Sequence, residues 1–183
     1  MKPTFTLICI LIFQINAISQ SANWEQTLNQ TLSEFKTCMA NDDKVVCQTY
    51  TAKAIRQVYK INDFYNASSK TDMSPFEIQE FVKGSPQWTA VGPAYKSETL
   101  VKAQELSNSG RAVLVVLKGD TPADAHVSLL LPGDLQNSGS WAMRVPNVSA
   151  FFTHNPDNSF VNKSISYAYT KSMMLQLEIY SRK

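Results

Sequence analysis

Hydrophobic residues recur every three to four positions in the N-terminal part of the chain, which predicts amphipathic helices there. The first predicted helix covers residues 23–39, and its apolar face holds Trp24, Leu28, Leu32 and Phe35. A polar break at 41–43 separates it from a second helix that runs from Cys47 to about Tyr59. The chain therefore begins its folded part with two packed helices.

Two further helices are predicted from their boundary residues. Ser74, Pro75 and Glu77 stand in the order of an N-cap serine, a first-turn proline and a capping-box glutamate, so a helix should begin there and end at Gly84. Another should run from Ser97 to about Ser107, with Gly110 in the position that commonly closes a helix.

The hydrophobic pattern changes in the C-terminal half, where continuous apolar runs predict buried strands. The predicted strands cover residues 112–117, 126–131 and 140–145, with a closing pair at 165–169 and 174–180. Helices first and strands later are typical of an α+β fold, with N-terminal helices packed on a mostly antiparallel sheet.

Residues 1–21 have the pattern of a secretory signal peptide. Lys2 precedes a ten-residue apolar run at 6–15, and Ala17 and Ser19 are small residues of the kind a signal peptidase reads. The run is shorter than the ~20 residues needed to cross a bilayer. We therefore expect a secreted or periplasmic protein without a stable membrane anchor, with residues 22–183 forming one domain.

Composition narrows the possible partners. The chain is 44% hydrophobic and 17% charged, with a net charge of +2, and it has no concentrated basic segment of the kind that binds nucleic acid. Neither C-x-x-C nor H-x₃-H spacing occurs, so no metal or other cofactor is expected. The oligomeric state is not predictable from the sequence.

Two cysteines follow the predicted leader, and two interpretations of them stay open. Cys38 and Cys47 could form a structural disulfide, because an exported pair with eight residues between its members can close such a loop. Alternatively, Cys47 is a free thiol at the start of a helix, where the helix dipole favours the thiolate.

The second interpretation predicts a catalytic site. His126 begins a predicted strand and could act as the base for Cys47. If residues 126–132 and 140–146 form a hairpin that pairs Pro132 with Ser140, His126 lies opposite Pro146 and next to Asn147. Asn147 would then orient the imidazole, as the third member of a Cys-His-Asn triad does.

A cysteine at the head of a helix is followed by a histidine at the start of a strand and by a polar residue on the next strand. In this order the chain resembles the papain-like NlpC-type and CHAP-type cell-wall amidases and endopeptidases. The resemblance rests on VVCQTYTAKAI around Cys47, AHVSLLLPG around His126 and RVPN ending at Asn147. It implies a papain-like catalytic domain that cleaves amide or peptide bonds, with peptidoglycan peptides as substrate. Cys47 would be the nucleophile, its backbone N–H an oxyanion donor, and His126 the general base.

A different class of function remains open beside this cysteine hydrolase. The chain could be a secreted or periplasmic binding or inhibitor-like protein without catalytic activity, with Cys38–Cys47 as a structural disulfide. His154 also has two interpretations, as an ordinary surface residue or as a group in a substrate cleft.

Overall fold

The structure is a computed structural model that describes residues 23–41 and 43–183. The predicted signal peptide lies outside the described residues. None of the helices in the described part is long and apolar enough to cross a membrane.

Four helices precede the main sheet, and they bury apolar side chains on one common side. They are α1 (Trp24–Ala40), α2 (Lys44–Cys47), α3 (Tyr50–Tyr59) and α4 (Pro75–Gly84). The predicted start of α4 is confirmed, because the Ser74 side chain accepts from the Glu77 backbone N–H while the Glu77 carboxylate accepts from the Ser74 backbone N–H. A short hairpin, β1 (Tyr65–Asn66) and β2 (Thr71–Asp72), connects α3 to α4.

A six-stranded antiparallel sheet follows, in the spatial order β3-β10-β4-β5-β8-β9. Its strands are β3 (Trp88–Pro93), β4 (Val113–Leu117), β5 (His126–Leu130), β8 (Asn147–Ala150), β9 (Phe160–Ser164) and β10 (Leu177–Arg182). The helix α5 (Ser97–Asn108) connects β3 to β4, and α6 (Ile165–Ala168) follows β9. A separate hairpin, β6 (Gln136–Ser138) and β7 (Met143–Val145), lies between β5 and β8. The predicted α+β fold, with N-terminal helices and a mostly antiparallel sheet, is confirmed.

The alternation of side chains along the strands divides the protein interior into two cores. On β4, Leu114 and Val116 belong to a first core with α1, α3 and α4, whereas Val113 and Val115 belong to a second core with α5 and α6. Successive strand residues point to opposite faces, so each strand serves both cores. Both faces of the sheet are covered, which explains why residues 113–116 are all apolar and fully buried.

Some predicted elements differ from the structure. Only Met143–Val145 of the predicted strand 140–145 is a strand, and it pairs within the β6–β7 hairpin instead of joining the main sheet. The predicted strand 165–169 is helical in α6, because the Ser164 side chain caps a helical turn at the Ser166 N–H. The first half of the predicted strand 174–180 is a 3₁₀ turn (Lys171–Gln176) that leads into β10.

A disulfide joins Cys38, near the end of α1, to Cys47, the last residue of α2. The two Cα atoms lie 5.8 Å apart, within the usual range for a bridge. Cys47 is fully buried in the first core. The bridge thereby fixes the turn between α1 and α3 against the sheet.

Removing this bridge should lower the stability of the fold. In the chain-entropy account, a cross-link that closes a loop of this length stabilises a protein by about 2–3 kcal/mol. We expect the double variant Cys38→Ala/Cys47→Ala to lose that amount of unfolding free energy in urea titrations followed by circular dichroism. An unchanged midpoint would contradict a structural role of the bridge.

Candidate functional site

Cys47 lies in a different local setting from the one predicted. It ends the four-residue helix α2 instead of beginning a helix, since α3 starts at Tyr50. Its backbone N–H donates to the Asp43 carbonyl at 2.9 Å, so that group is already engaged and is not a free oxyanion donor. Its sulfur is bonded to Cys38. A cysteine acts as a nucleophile through its thiolate. In the disulfide, Cys47 has no thiolate.

His126 begins β5, as predicted. Both of its ring nitrogens and one face of its ring contact other protein groups. Its Nε2 lies 3.1 Å from the Phe151 carbonyl oxygen, and its Nδ1 lies 2.9 Å from the Tyr169 hydroxyl. The ring stacks on Phe152 with centroids 4.6 Å apart and an interplanar angle of 9°. Tyr169 meets it edge-on at 5.6 Å.

These contacts assign the tautomer of His126. A carbonyl oxygen only accepts hydrogen bonds, so Nε2 must carry the proton that it donates to Phe151. The neutral ring then has Nδ1 as acceptor, and the Tyr169 hydroxyl donates to it. The Tyr169 oxygen lies 2.8 Å from the buried Ser128 hydroxyl, which donates to it in turn. The chain from Ser128 through Tyr169 and His126 to Phe151 therefore uses both imidazole nitrogens.

The surroundings keep this imidazole neutral. Burial lowers the pKa of His126 from 6.5 to about 4, the hydrogen bond to the Phe151 carbonyl opposes that change, and the neighbouring His154 adds to it. Burial also raises the pKa of the Tyr169 hydroxyl, which stays protonated as a donor. At neutral pH, His126 is thus an uncharged wall group whose polar atoms are satisfied.

Asn147 is far from His126, because the register predicted for their strands is wrong. β5 pairs with β8 through Leu129 and Ser149, and the Leu131 N–H donates to the Asn147 carbonyl. Asn147 therefore lies beside residue 131, five positions along β5 from His126, which is about 16 Å at the rise of a strand. Its side chain donates to the Asn162 Oδ1 at 3.0 Å instead.

The sheet also separates His126 from Cys47. His126 shares its face of β5 with Ser128 and Leu130, and Leu130 belongs to the second core. Cys47 packs in the first core with Val127 and Leu129, which point to the other face. The three residues of the predicted triad are consequently not brought together in one cleft.

A cavity of about 240 Å³ opens beside His126 at the end of the sheet. Its walls combine aromatic and aliphatic side chains with a few polar groups. The apolar lining is Pro75, Leu117, Pro122, Ala123, Ala125, Phe151, Phe152, Ala168 and Met173, and the polar lining is Gln48, Asp124, His126, Thr153, His154 and Tyr169. His154 is exposed and also lines the cavity.

One wall of the cavity is a loop that a buried glutamine holds in place. The Gln79 side chain pairs with the backbone of Gly119: its Nε2 donates to the Gly119 carbonyl at 2.9 Å, and its Oε1 accepts from the Gly119 N–H at 2.9 Å. A Cβ at position 119 would lie 2.4 Å from the Ala125 nitrogen, so only glycine fits there. α4 thereby fixes the 119–125 loop, which carries Asp124 to the cavity.

Sequence reasoning missed Tyr169, Phe152 and Gln79 as parts of the site. Phe152 follows β8, whose pairing with β5 was not predicted, and Tyr169 follows α6, where a strand was predicted. Gln79 lies in the middle of a helix, where polar residues normally face solvent. One usable signal was present: His126, Ser128 and Leu130 alternate with apolar residues and so had to share a face of their strand.

The described residues contain no group of three or more histidine, cysteine, aspartate or glutamate side chains placed to hold a metal ion.

No protein-family model matches the chain, and no curated protein matches it.

The His126 environment predicts a pH dependence of stability. Because the pKa of His126 is lower in the folded protein than in the unfolded chain, the unfolded state binds more protons, and stability should be lost as pH falls from about 6.5 towards 4. The loss is at most about 3 kcal/mol, and smaller since the side chain is half-buried and faces the cavity. His126→Gln should abolish this component of the urea-unfolding profile.

His154→Gln is the matched control, because His154 is the other of the two histidines and is exposed. It removes the last-ranked of the causes that shift the pKa of His126, so it should keep most of the pH dependence. Equal profiles for His126→Gln and the unsubstituted protein would contradict the buried neutral imidazole.

The two hydrogen bonds between the Gln79 side chain and the Gly119 backbone, here called the Gln79 clamp, predict a large loss of unfolding free energy when Gln79 is replaced. Gln79→Leu leaves the buried N–H and carbonyl of Gly119 without partners, which should lower the unfolding free energy by about 2–4 kcal/mol. Gln87→Leu, at an exposed glutamine, should change it by less than about 0.5 kcal/mol. Similar chemical-denaturation midpoints for the two variants would exclude the clamp.

Proposed function

We propose that the chain is an exported, non-enzymatic binding protein that holds a small ligand or a partner's side chain in the cavity beside His126. One observation carries the proposal: the cavity wall contains a histidine whose two nitrogens are both occupied by protein groups. A general base needs a nitrogen free to take a proton from the reacting group. A fully satisfied neutral ring suits a fixed, largely apolar wall.

The state of the cysteines supports the same conclusion. The disulfide removes the sulfur nucleophile that the hydrolase hypothesis requires. It also ties α1 to the α2–α3 turn, next to Gln48 in the cavity wall. A cross-link that stiffens a binding wall reduces the ordering cost of binding a ligand.

Export is part of the proposal. The sequence of residues 1–21 predicts a signal peptide, and a disulfide is stable in oxidising compartments such as the periplasm or the extracellular medium. The small net charge of +2 suits a protein that recognises its partner through a cavity and not through a basic surface for nucleic acid.

The second candidate is the exported, papain-like cysteine amidase or endopeptidase acting on peptidoglycan peptides. One observation favours it: Gln48, the residue after Cys47, lines the same cavity as His126. The segments that carry the predicted nucleophile and base therefore meet at one opening. This function requires reduction of the Cys38–Cys47 bridge and a rearrangement that brings the Cys47 sulfur to the face of His126.

The two functions are separated by two cysteine variants that break the same bridge. Cys38→Ser keeps the Cys47 thiol, whereas Cys47→Ser removes it. For a binding protein, we expect that neither variant nor the unsubstituted protein releases fragments from purified sacculi above background, with or without reductant. Iodoacetamide should leave both cysteines of the folded, non-reduced protein unlabelled, as mass spectrometry of the intact chain would show.

The amidase would give the opposite pattern. Cys38→Ser would be active without reductant, the unsubstituted protein would be active only with it, and Cys47→Ser and His126→Ala would be inactive. That pattern would overturn the binding proposal. Both cysteine variants must first show the same circular-dichroism spectrum, so that a loss of activity is not a loss of fold.

A further inference from the structure

We propose that the cavity beside His126 selects a small organic cation, an ammonium group attached to an aromatic or aliphatic body. This inference rests on the proposed binding function and adds the chemical class of the ligand. Its basis is a lining that is mostly apolar and in which, among the described residues, the one carboxylate is Asp124 and there is no lysine or arginine.

Most of the cavity lining suits an apolar body. His126 and Tyr169 use their polar atoms on each other, on Phe151 and on Ser128, so they offer a ligand mainly ring surface. Most of the remaining lining is aromatic or aliphatic, with Phe152 and Met173 half-buried on it, and Gln48 and Thr153 add two uncharged polar side chains. A dry apolar cavity of about 150 Å³ admits benzene, so about 240 Å³ has room for one ring with a short chain.

Asp124 supplies a carboxylate to the cavity wall. Asp124 lines the cavity, and its Oδ2 accepts from the Thr121 hydroxyl at 2.6 Å, which orients the carboxylate. Among the described residues that line the cavity, none is lysine or arginine. The nearest basic neighbour in sequence, Lys118, is paired with Glu178 at 3.0 Å.

Aromatic walls add to the preference for positive charge. The faces of aromatic rings carry negative potential and attract ammonium groups, more strongly where water is excluded. Phe151, Phe152 and Tyr169 all border the cavity. Phe152 stacks one ring face on His126, so the Asp124 carboxylate is the lining group that would repel an anion.

Three probes with the same phenylethyl body test this selection: phenethylamine as the cation, 2-phenylethanol as the neutral compound and 3-phenylpropionate as the anion. Binding is measured by titration of the Met173 methyl NMR signal in the protein expressed from its full-length sequence. We expect phenethylamine to bind about threefold or more tightly than 2-phenylethanol, the size of effect a single partly screened charge produces. The propionate should bind most weakly.

Asp124→Asn should reduce the affinity for phenethylamine to that for 2-phenylethanol and leave the alcohol unaffected. Asp120→Asn is the matched control, because Asp120 is an exposed aspartate in the same loop that does not line the cavity. It changes the net charge equally and should preserve the preference.

The outcomes distinguish the inference from the function on which it rests. Equal affinities for all three probes, or a preference that Asp124→Asn leaves intact, would overturn cation selection while the binding function stands. No shift of the Met173 signal with any probe would overturn the inference that the cavity takes an aromatic ammonium compound, whereas the sacculus and iodoacetamide assays test the function on which it rests.

Discussion

The strict alternation of side chains along β5 is the constraint on which the rest of this account depends. It sends Val127 and Leu129 into the core that contains Cys47, and His126, Ser128 and Leu130 to the opposite face. A shift of one residue would exchange the two sets and take His126 and Ser128 away from the hydrogen-bond partners on their present face. The buried apolar residues thus fix the side on which the histidine lies, and through it the character of the cavity.

The hydrogen bonds of the buried polar groups then fix the His126 ring in the cavity wall. Ser128 and Tyr169 lie inside the second core, where an unpaired hydroxyl costs about 1–3 kcal/mol, and each finds its partner in the chain that ends at the Phe151 carbonyl. Trp141 supports this chain by donating to the Tyr169 carbonyl at 3.0 Å. A histidine whose two nitrogens are both held by its neighbours in this way is a structural part of the cavity wall.

The sequence predicted those elements whose signals are local. The capping box at Ser74 and the apolar runs of β4 and β5 depend on neighbouring residues alone, and the structure has them where expected. The β5–β8 register could not be predicted, because the β6–β7 hairpin intervenes and takes the residues that were expected to pair with β5. The side of the sheet on which Cys47 lies could not be predicted either, because it depends on how α2 and α3 pack against the sheet.

The protonation of the His126 ring shows whether this histidine is neutral and separated from Cys47 by the sheet. Nitrogen NMR of the imidazole at neutral pH should show a neutral ring with its proton on Nε2, in the oxidised protein and equally after reduction of the Cys38–Cys47 bridge. A ring that becomes doubly protonated on reduction, and reverts to neutral in Cys47→Ser, would reveal a thiolate–imidazolium pair. That result would contradict the separation of the two residues by the sheet.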